Sequence, residues 1–163
     1  MMNEYEDEEQ KFVLEFSAWD KSMQGLGAVG AERPVWEGRI DRGLEKIFEF
    51  GGLARLWVIQ SATGAYVRNL DMQALSGQFR LIALTNDSDY KKKLLEWWEP
   101  GNGSFRGKIL FGDDEWDART VCTDLNVAFR FFRDMYEHGD LTRDSLSQMR
   151  SPWNCPVQPG RSG

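Results

Sequence analysis

The sequence is poor in the residues that most small-protein chemistry needs: its 163 residues hold one histidine and two cysteines. A single His138 excludes a two-histidine zinc site, and neither Cys122 nor Cys155 neighbours it in sequence. Two cysteines make no disulfide framework. Cys122 falls in an apolar pattern and reads as a small buried hydrophobe, while Cys155 reads as a free thiol in a proline-rich end. This usage fits a reducing cytosol. There is no G-x-S-x-G elbow for a serine nucleophile. The start of the chain has no basic region followed by an apolar one, so no secretory signal is read there. Apolar runs such as Leu56 to Ile59 are far too short for a membrane-spanning helix. Basic residues do not dominate either, with 20 Lys and Arg against 26 Asp and Glu, so no broad nucleic-acid footprint is expected. The one basic run, Lys91-Lys92-Lys93, reads as an exposed edge or turn.

What is present is acid and aromatic. The net charge is −6. Glu4, Glu6, Asp7, Glu8 and Glu9 supply five of those charges within residues 1–10, where no base stands. Residues 11–163 therefore carry a net charge of only −1, the difference between the two. The leader, residues 1–10, reads as a solvated acidic segment. Residues 11–150 read as one domain, and residues 151–163, with three prolines, as an irregular tail. Seven Trp and ten Phe supply either a core of large rings or the anchors of an interface.

Periodicity gives the elements. Lys11 to Trp19 alternates, with Phe12, Leu14 and Phe16 on one face of a strand. From Pro34, the residues Val35, Trp36, Ile40, Leu44, Ile47 and Phe48 recur at helical spacing, and Gly51-Gly52 ends the run. Strands follow at Leu53 to Gln60, Ala65 to Leu70 and Gln78 to Thr85, with connections short enough for antiparallel neighbours. Asp89 to Glu99 fits either a short helix or a strand. The turn at Pro100-Gly101-Asn102-Gly103 favours a hairpin between this stretch and Phe105 to Phe111. A last helix carries Leu125, Ala128, Phe129, Phe132, Met135 and Tyr136 and stops at Gly139. It begins as early as Asp117 or is capped at Thr123 or Asp124. Leu141 to Met149 suits one more short helical turn. Together these predict an α+β fold: a mainly antiparallel sheet with two principal helices on one face.

Three motifs bear on function. Gly25-Leu26-Gly27-Ala28-Val29-Gly30 matches G-x-G-x-x-G, with Glu49 downstream. In a dinucleotide fold the helix begins within the glycines, which would put Pro34 inside it. The later strands also lack alternating helices, so the stretch reads better as a loop. Asp113, Asp114, Glu115 and Asp117 surround Trp116. Acids ahead of a helix cap it and offset its dipole. Beside an exposed ring they also suit a basic partner, whereas a metal would need a ligand spacing that is missing here. Trp97 and Trp98 are consecutive, so in a strand they point to opposite faces, and one is expected outside a single core. The expected partner-binding residues are therefore Asp113, Asp114, Glu115, Trp116, Trp97 and Trp98. His138, just before Gly139, is placed to satisfy the last carbonyls of its helix. Carboxylate pairs for hydrolysis stay open, because sequence does not give their separations.

Three stretches also carry a family resemblance. They are Pro34-Val35-Trp36 with Leu44 and Ile47; Gly64-Ala65-Tyr66-Val67; and Gly112-Asp113-Asp114-Glu115-Trp116-Asp117-Ala118-Arg119 with Val121-Cys122, Asp124, Phe129 to Phe132 and Gly139-Asp140-Leu141. Over roughly residues 30–145 the chain resembles small bacterial α+β immunity-type proteins associated with polymorphic or contact-delivered toxins. The resemblance implies a cytoplasmic, non-catalytic protein that binds and neutralises a cognate toxin, with no cofactor and no nucleic-acid or membrane partner. Two other classes stay beside it: a small enzyme or nucleotide-binding protein using the Gly25–Gly30 loop, and a self-associating structural or adaptor subunit.

Overall fold

Alternation along Phe12–Asp20 (β1) turns Leu14, Phe16 and Ala18 to one side, where they are buried. That side becomes the core. The computed structural model describes residues 12–20, 34–101 and 104–154. After β1 come α1 (Asp41–Phe50), β2 (Gly52–Ser61), β3 (Val67–Leu75), β4 (Gln78–Thr85), β5 (Leu94–Trp97), β6 (Lys108–Phe111) and β7 (Asp114–Asp117). They are followed by α2 (Leu125–His138), α3 (Arg143–Leu146) and β8 (Met149–Arg150). The fold is α+β, as the periodicity predicts. Six strands pair antiparallel in the order β1-β2-β3-β4-β5-β8, and β6 and β7 form a separate hairpin.

Helices α1 and α2 pack together on one face of the sheet. Between them and the sheet lie Leu44 and Ile47 of α1, Ala128, Phe131, Phe132 and Met135 of α2, and Leu56, Leu70, Met72, Phe79 and Leu81 of the strands. Burying each such side chain contributes about 1.5–3 kcal/mol, which is what holds the layers together. Phe131 joins the expected stripe because positions 128, 131, 132 and 135 follow helical spacing. Asp124 caps α2 by accepting the Asn126 N–H at 3.0 Å, so the later of the two expected starts is the real one. Among the described residues no helix is long and apolar enough to cross a membrane.

Four expectations change. The first helix does not run from Val35: Gly38 takes φ +78° and Glu37 is extended, so Trp36–Ile40 forms a wide irregular turn and regular α1 begins at Asp41. The run keeps its apolar spacing because Trp36 still docks, packing against Phe129 and Tyr136 of α2. The third strand starts at Val67, with Tyr66 and Val67 donating their backbone N–H groups to the Asp140 carboxylate at 2.7 and 2.9 Å. Residues 94–97 form a strand, yet its partners are β4 and β8, and β6 pairs with β7 instead. Local turn chemistry at Pro100-Gly101 marks a reversal without choosing the partner strand. Finally, the packed domain extends past residue 150. Ser151 is buried and its hydroxyl donates to the Lys91 carbonyl, and Trp153 meets Tyr90 edge-on at 5.9 Å. The acidic leader, the Gly25–Gly30 loop and Cys155 lie outside the described residues.

Candidate protein-binding site

The β6–β7 hairpin is short, and four residue pairs cannot hold it in place alone;. Its anchor is a set of arginines and rings. Trp116 on β7 lies over the Arg80 guanidinium, 3.5 Å from Cζ to ring centroid. Arg80 sits on the sheet face opposite Phe79 and Leu81, so this contact fixes the hairpin against the face that carries no helix among the described residues. Arg80 is itself buried and paired with Glu96 at 2.7 Å, while its Nε has no hydrogen-bond partner among the described residues. Burial pushes the Arg80 pKa down, against the opposing pull of Glu96. A cation held so dry gains most from the electron-rich face of an indole.

A second anchor holds the strand's exit. Arg119 is 1% exposed and donates through Nε and Nη2 to the Asp117 carboxylate at 3.0 and 2.7 Å. It also lies over Trp98 at 4.3 Å, with Arg150 over the same indole at 3.9 Å. Burial alone would raise the Asp117 pKa. The side-chain and backbone hydrogen bonds from Arg119, with its charge, outweigh that and hold the carboxyl below its ordinary value. Beyond this point Phe79 and Cys122 exchange backbone hydrogen bonds at 2.9 and 2.8 Å, tying the exit to β4. Tip and base thus differ: the base is desolvated and rigid, and the tip is not.

At the tip Gly112 and Asp113 make the turn, and Asp113, Asp114 and Glu115 are all exposed. Leu110 stands directly across from Glu115 and is 66% exposed, while Phe111 beside it is buried. Three carboxylates around one exposed aliphatic side chain form a small amphipathic knob on a fixed support. Of the six residues expected to bind a partner, the structure places these three acids together on the surface. It removes Trp97 and Trp98, each 5% exposed. Trp97 enters the helix-side core, and Trp98 is clamped between two arginines. Both faces of the sheet are covered at this point, so the alternation that separates the two rings exposes neither. Trp116 is half-buried and serves as an anchor. Of the four acids expected to cap, Asp117 alone does so, its carboxylate accepting the Arg119 N–H at the head of the short 3-10 turn Ala118–Thr120, and among the described residues Asp113, Asp114 and Glu115 cap no helix. Leu110 was missed, although the alternation Lys108-Ile109-Leu110-Phe111 already separates Ile109 and Phe111 from Leu110.

A cavity of about 410 Å³ opens between the base of the hairpin and the start of α2, bordered by Trp97, Glu99, Arg106, Cys122 and Asp124. Arg106 and Glu99 form an ion pair at its rim. Burial pushes the Cys122 thiol up, so it is a poor nucleophile at neutral pH. His138 is exposed at the end of α2, its Nδ1 2.8 Å from the Asp134 carbonyl oxygen, which is the helix-end position expected of it. Among the described residues no three His, Cys, Asp or Glu side chains are grouped to hold a metal ion.

The fold is similar to that of a hypothetical protein from Neisseria gonorrhoeae known from a crystal structure. The TM-score is 0.52 at 8% identity, covering 90% of this chain and 94% of the other. At that identity the likeness speaks for the fold alone. No curated protein shows significant similarity to the sequence. A family model does match, over residues 14–145, which span β1 to α3 and include the whole anchored hairpin, and the chain thereby belongs to the Family of unknown function (DUF6911).

Proposed function

We propose that this protein is a non-catalytic binding domain of the immunity type, acting in the cytoplasm, which neutralises a basic toxin domain through the β6–β7 knob. The observation that carries the reading is the knob itself: Asp113, Asp114 and Glu115 exposed around Leu110 on a hairpin whose base is locked by Trp116–Arg80 and Asp117–Arg119. A pre-ordered support lowers the entropy lost on association. The acids steer a basic partner and set the on-rate, and Leu110 supplies apolar area once the two meet. Within residues 11–163 the net charge is only −1, and Asp113-Asp114-Glu115 is the densest run of acids there.

The partner to try first is the product of the open reading frame adjacent to the gene. In stopped-flow mixing with that protein, the double variant Asp113→Lys/Asp114→Lys is expected to slow association roughly tenfold at low salt and to flatten its salt dependence. Leu110→Ser is expected to act mainly on dissociation. Association that stays at the wild-type rate in the double variant, with binding intact, would remove the knob from the interface.

A further inference from the structure

The two edges of the sheet are built differently. The β8 edge is two residues long and is followed by Pro152, a combination that blocks strand addition;. On the other side, where no further strand pairs with β1 among the described residues, the edge is nine residues long, Phe12–Asp20, and contains no Pro, Gly or Lys. Its one irregularity is a bulge between Val13 and Leu14 in which the extra residue, Ile59, belongs to β2. The outer strand itself is therefore regular. Along it, Leu14, Phe16 and Ala18 face the helices, and Val13, Glu15, Ser17 and Trp19 face the other side. Trp19 is 52% exposed. Every second residue of such a strand points its backbone N–H and C=O away from β2.

We infer that β1 is an interaction surface for a second copy of this chain, pairing antiparallel with its own counterpart to make one continuous twelve-stranded sheet. A two-fold axis normal to the sheet keeps each residue on its own face. Directly opposed residues must then share a face, which allows only registers in steps of two. Centring on Glu15 would set Glu15 against Glu15 of the other copy, a like-charge contact at the middle of the interface. Centring on Phe16 avoids it and opposes the seven inner residues of each strand, 13–19, to one another. Val13 then meets Trp19 of the other copy, Leu14 meets Ala18, Glu15 meets Ser17, and Phe16 meets itself. This register extends the helix-side core across the junction and gives the exposed indole an aliphatic partner. It also sets the two acidic knobs on the same face, on the order of 35 Å apart at about 4.8 Å per strand. The inference stands whether or not the knob binds a toxin.

The test is a charge swap read by sedimentation velocity on the full chain across the micromolar range. Wild type is expected to dimerise with rising concentration. Ser17→Glu places a carboxylate against Glu15 of the other copy twice per dimer, and is expected to raise the dissociation constant roughly tenfold. Ser17→Lys is expected to lower it, and Glu15→Lys added to Ser17→Glu to restore pairing. Because Ser17 stands across from Arg55 on β2, melting curves are run on each variant. If Ser17→Glu fails to fold, Ser17→Lys, for which the opposite change is expected, still reads the register. A wild type that stays monomeric overturns the inference, as does a dimer that responds alike to Glu and Lys at residue 17 or a folded swap variant that stays apart.

Discussion

Two residues show how single positions carry this fold. Arg119 would be costly to bury as a lone charge, and the Asp117 carboxylate makes its burial tolerable by accepting both fork donors;. Asp117→Asn keeps the shape and removes the charge, so it is expected to cost about 3 kcal/mol at neutral pH. The sign with pH follows from the direction of the shift. The folded carboxyl titrates below its ordinary value, so the unfolded chain takes up the proton first as pH falls. The stabilisation is complete above the ordinary carboxylate range and disappears as pH drops through the lower folded value. Urea unfolding of wild type and variant should therefore differ at neutral pH and converge in strong acid, and a gap that is constant with pH would refute the account. Gly139 is the second case. It ends α2 at φ +68°, and a Cβ there would run into the Phe12 ring. Gly139→Ala is expected to lower stability by more than about 1 kcal/mol in thermal melts, whereas an ordinary exposed helix end would barely respond.

Elements divide by how local their causes are. Strands β2 and β4 and helix α2 were legible because alternation, short turns and a 3.6-residue stripe lie within each segment. The pairing of β5 was not, because its partners on β4 and β8 lie 10–14 and 52–54 residues away in sequence, and nothing in Pro100-Gly101 encodes either. The acids of the candidate site were readable as charge. Their setting was not, since the rings that read as anchors for a partner are spent inside, on Arg80, Arg119 and Arg150. This division of labour within the hairpin is measurable. Asp113→Lys/Asp114→Lys is expected to leave unfolding free energy within about 0.5 kcal/mol, because neither side chain caps or packs. Trp116→Ala uncovers a buried guanidinium and is expected to cost about 2 kcal/mol or more. Chemical denaturation of the two variants side by side checks both figures. If the acids proved the costlier loss, the tip would be structural and the knob no binding surface.

At the scale of the whole molecule, one edge of the sheet is closed by the last described residues, and the other is left long among the described residues. The closure is a small assembly: β8 pairs with β5 through Glu96–Arg150 and Trp97–Met149, and the Trp98 N–H donates to the Gln148 carbonyl at 3.1 Å. Ser151 then reaches the Lys91 carbonyl, and the Tyr90–Trp153 pair covers the corner. Composition places the domain boundary at residue 150, because three prolines dominate the end. Contacts carry the packed region at least to Trp153, because Ser151 is buried and an edge-to-face ring pair such as Tyr90–Trp153 contributes about 0.5–1.5 kcal/mol even near the surface;. Two truncations separate these boundaries. A chain ending at Arg150 loses the Ser151 hydrogen bond and the ring pair, leaving a two-residue strand with nothing beyond it to hold it on β5. A chain ending at Asn154 keeps both contacts. The shorter chain is expected to melt about 3–6 °C below the longer one, the shift that 1–2 kcal/mol produces in a domain of this size. It should also lose amide protection at Trp97 and Trp98, while β1 to β3 keep theirs. Equal melting temperatures for the two truncations would return the boundary to residue 150 and leave the β8 edge without the closure that distinguishes it from β1.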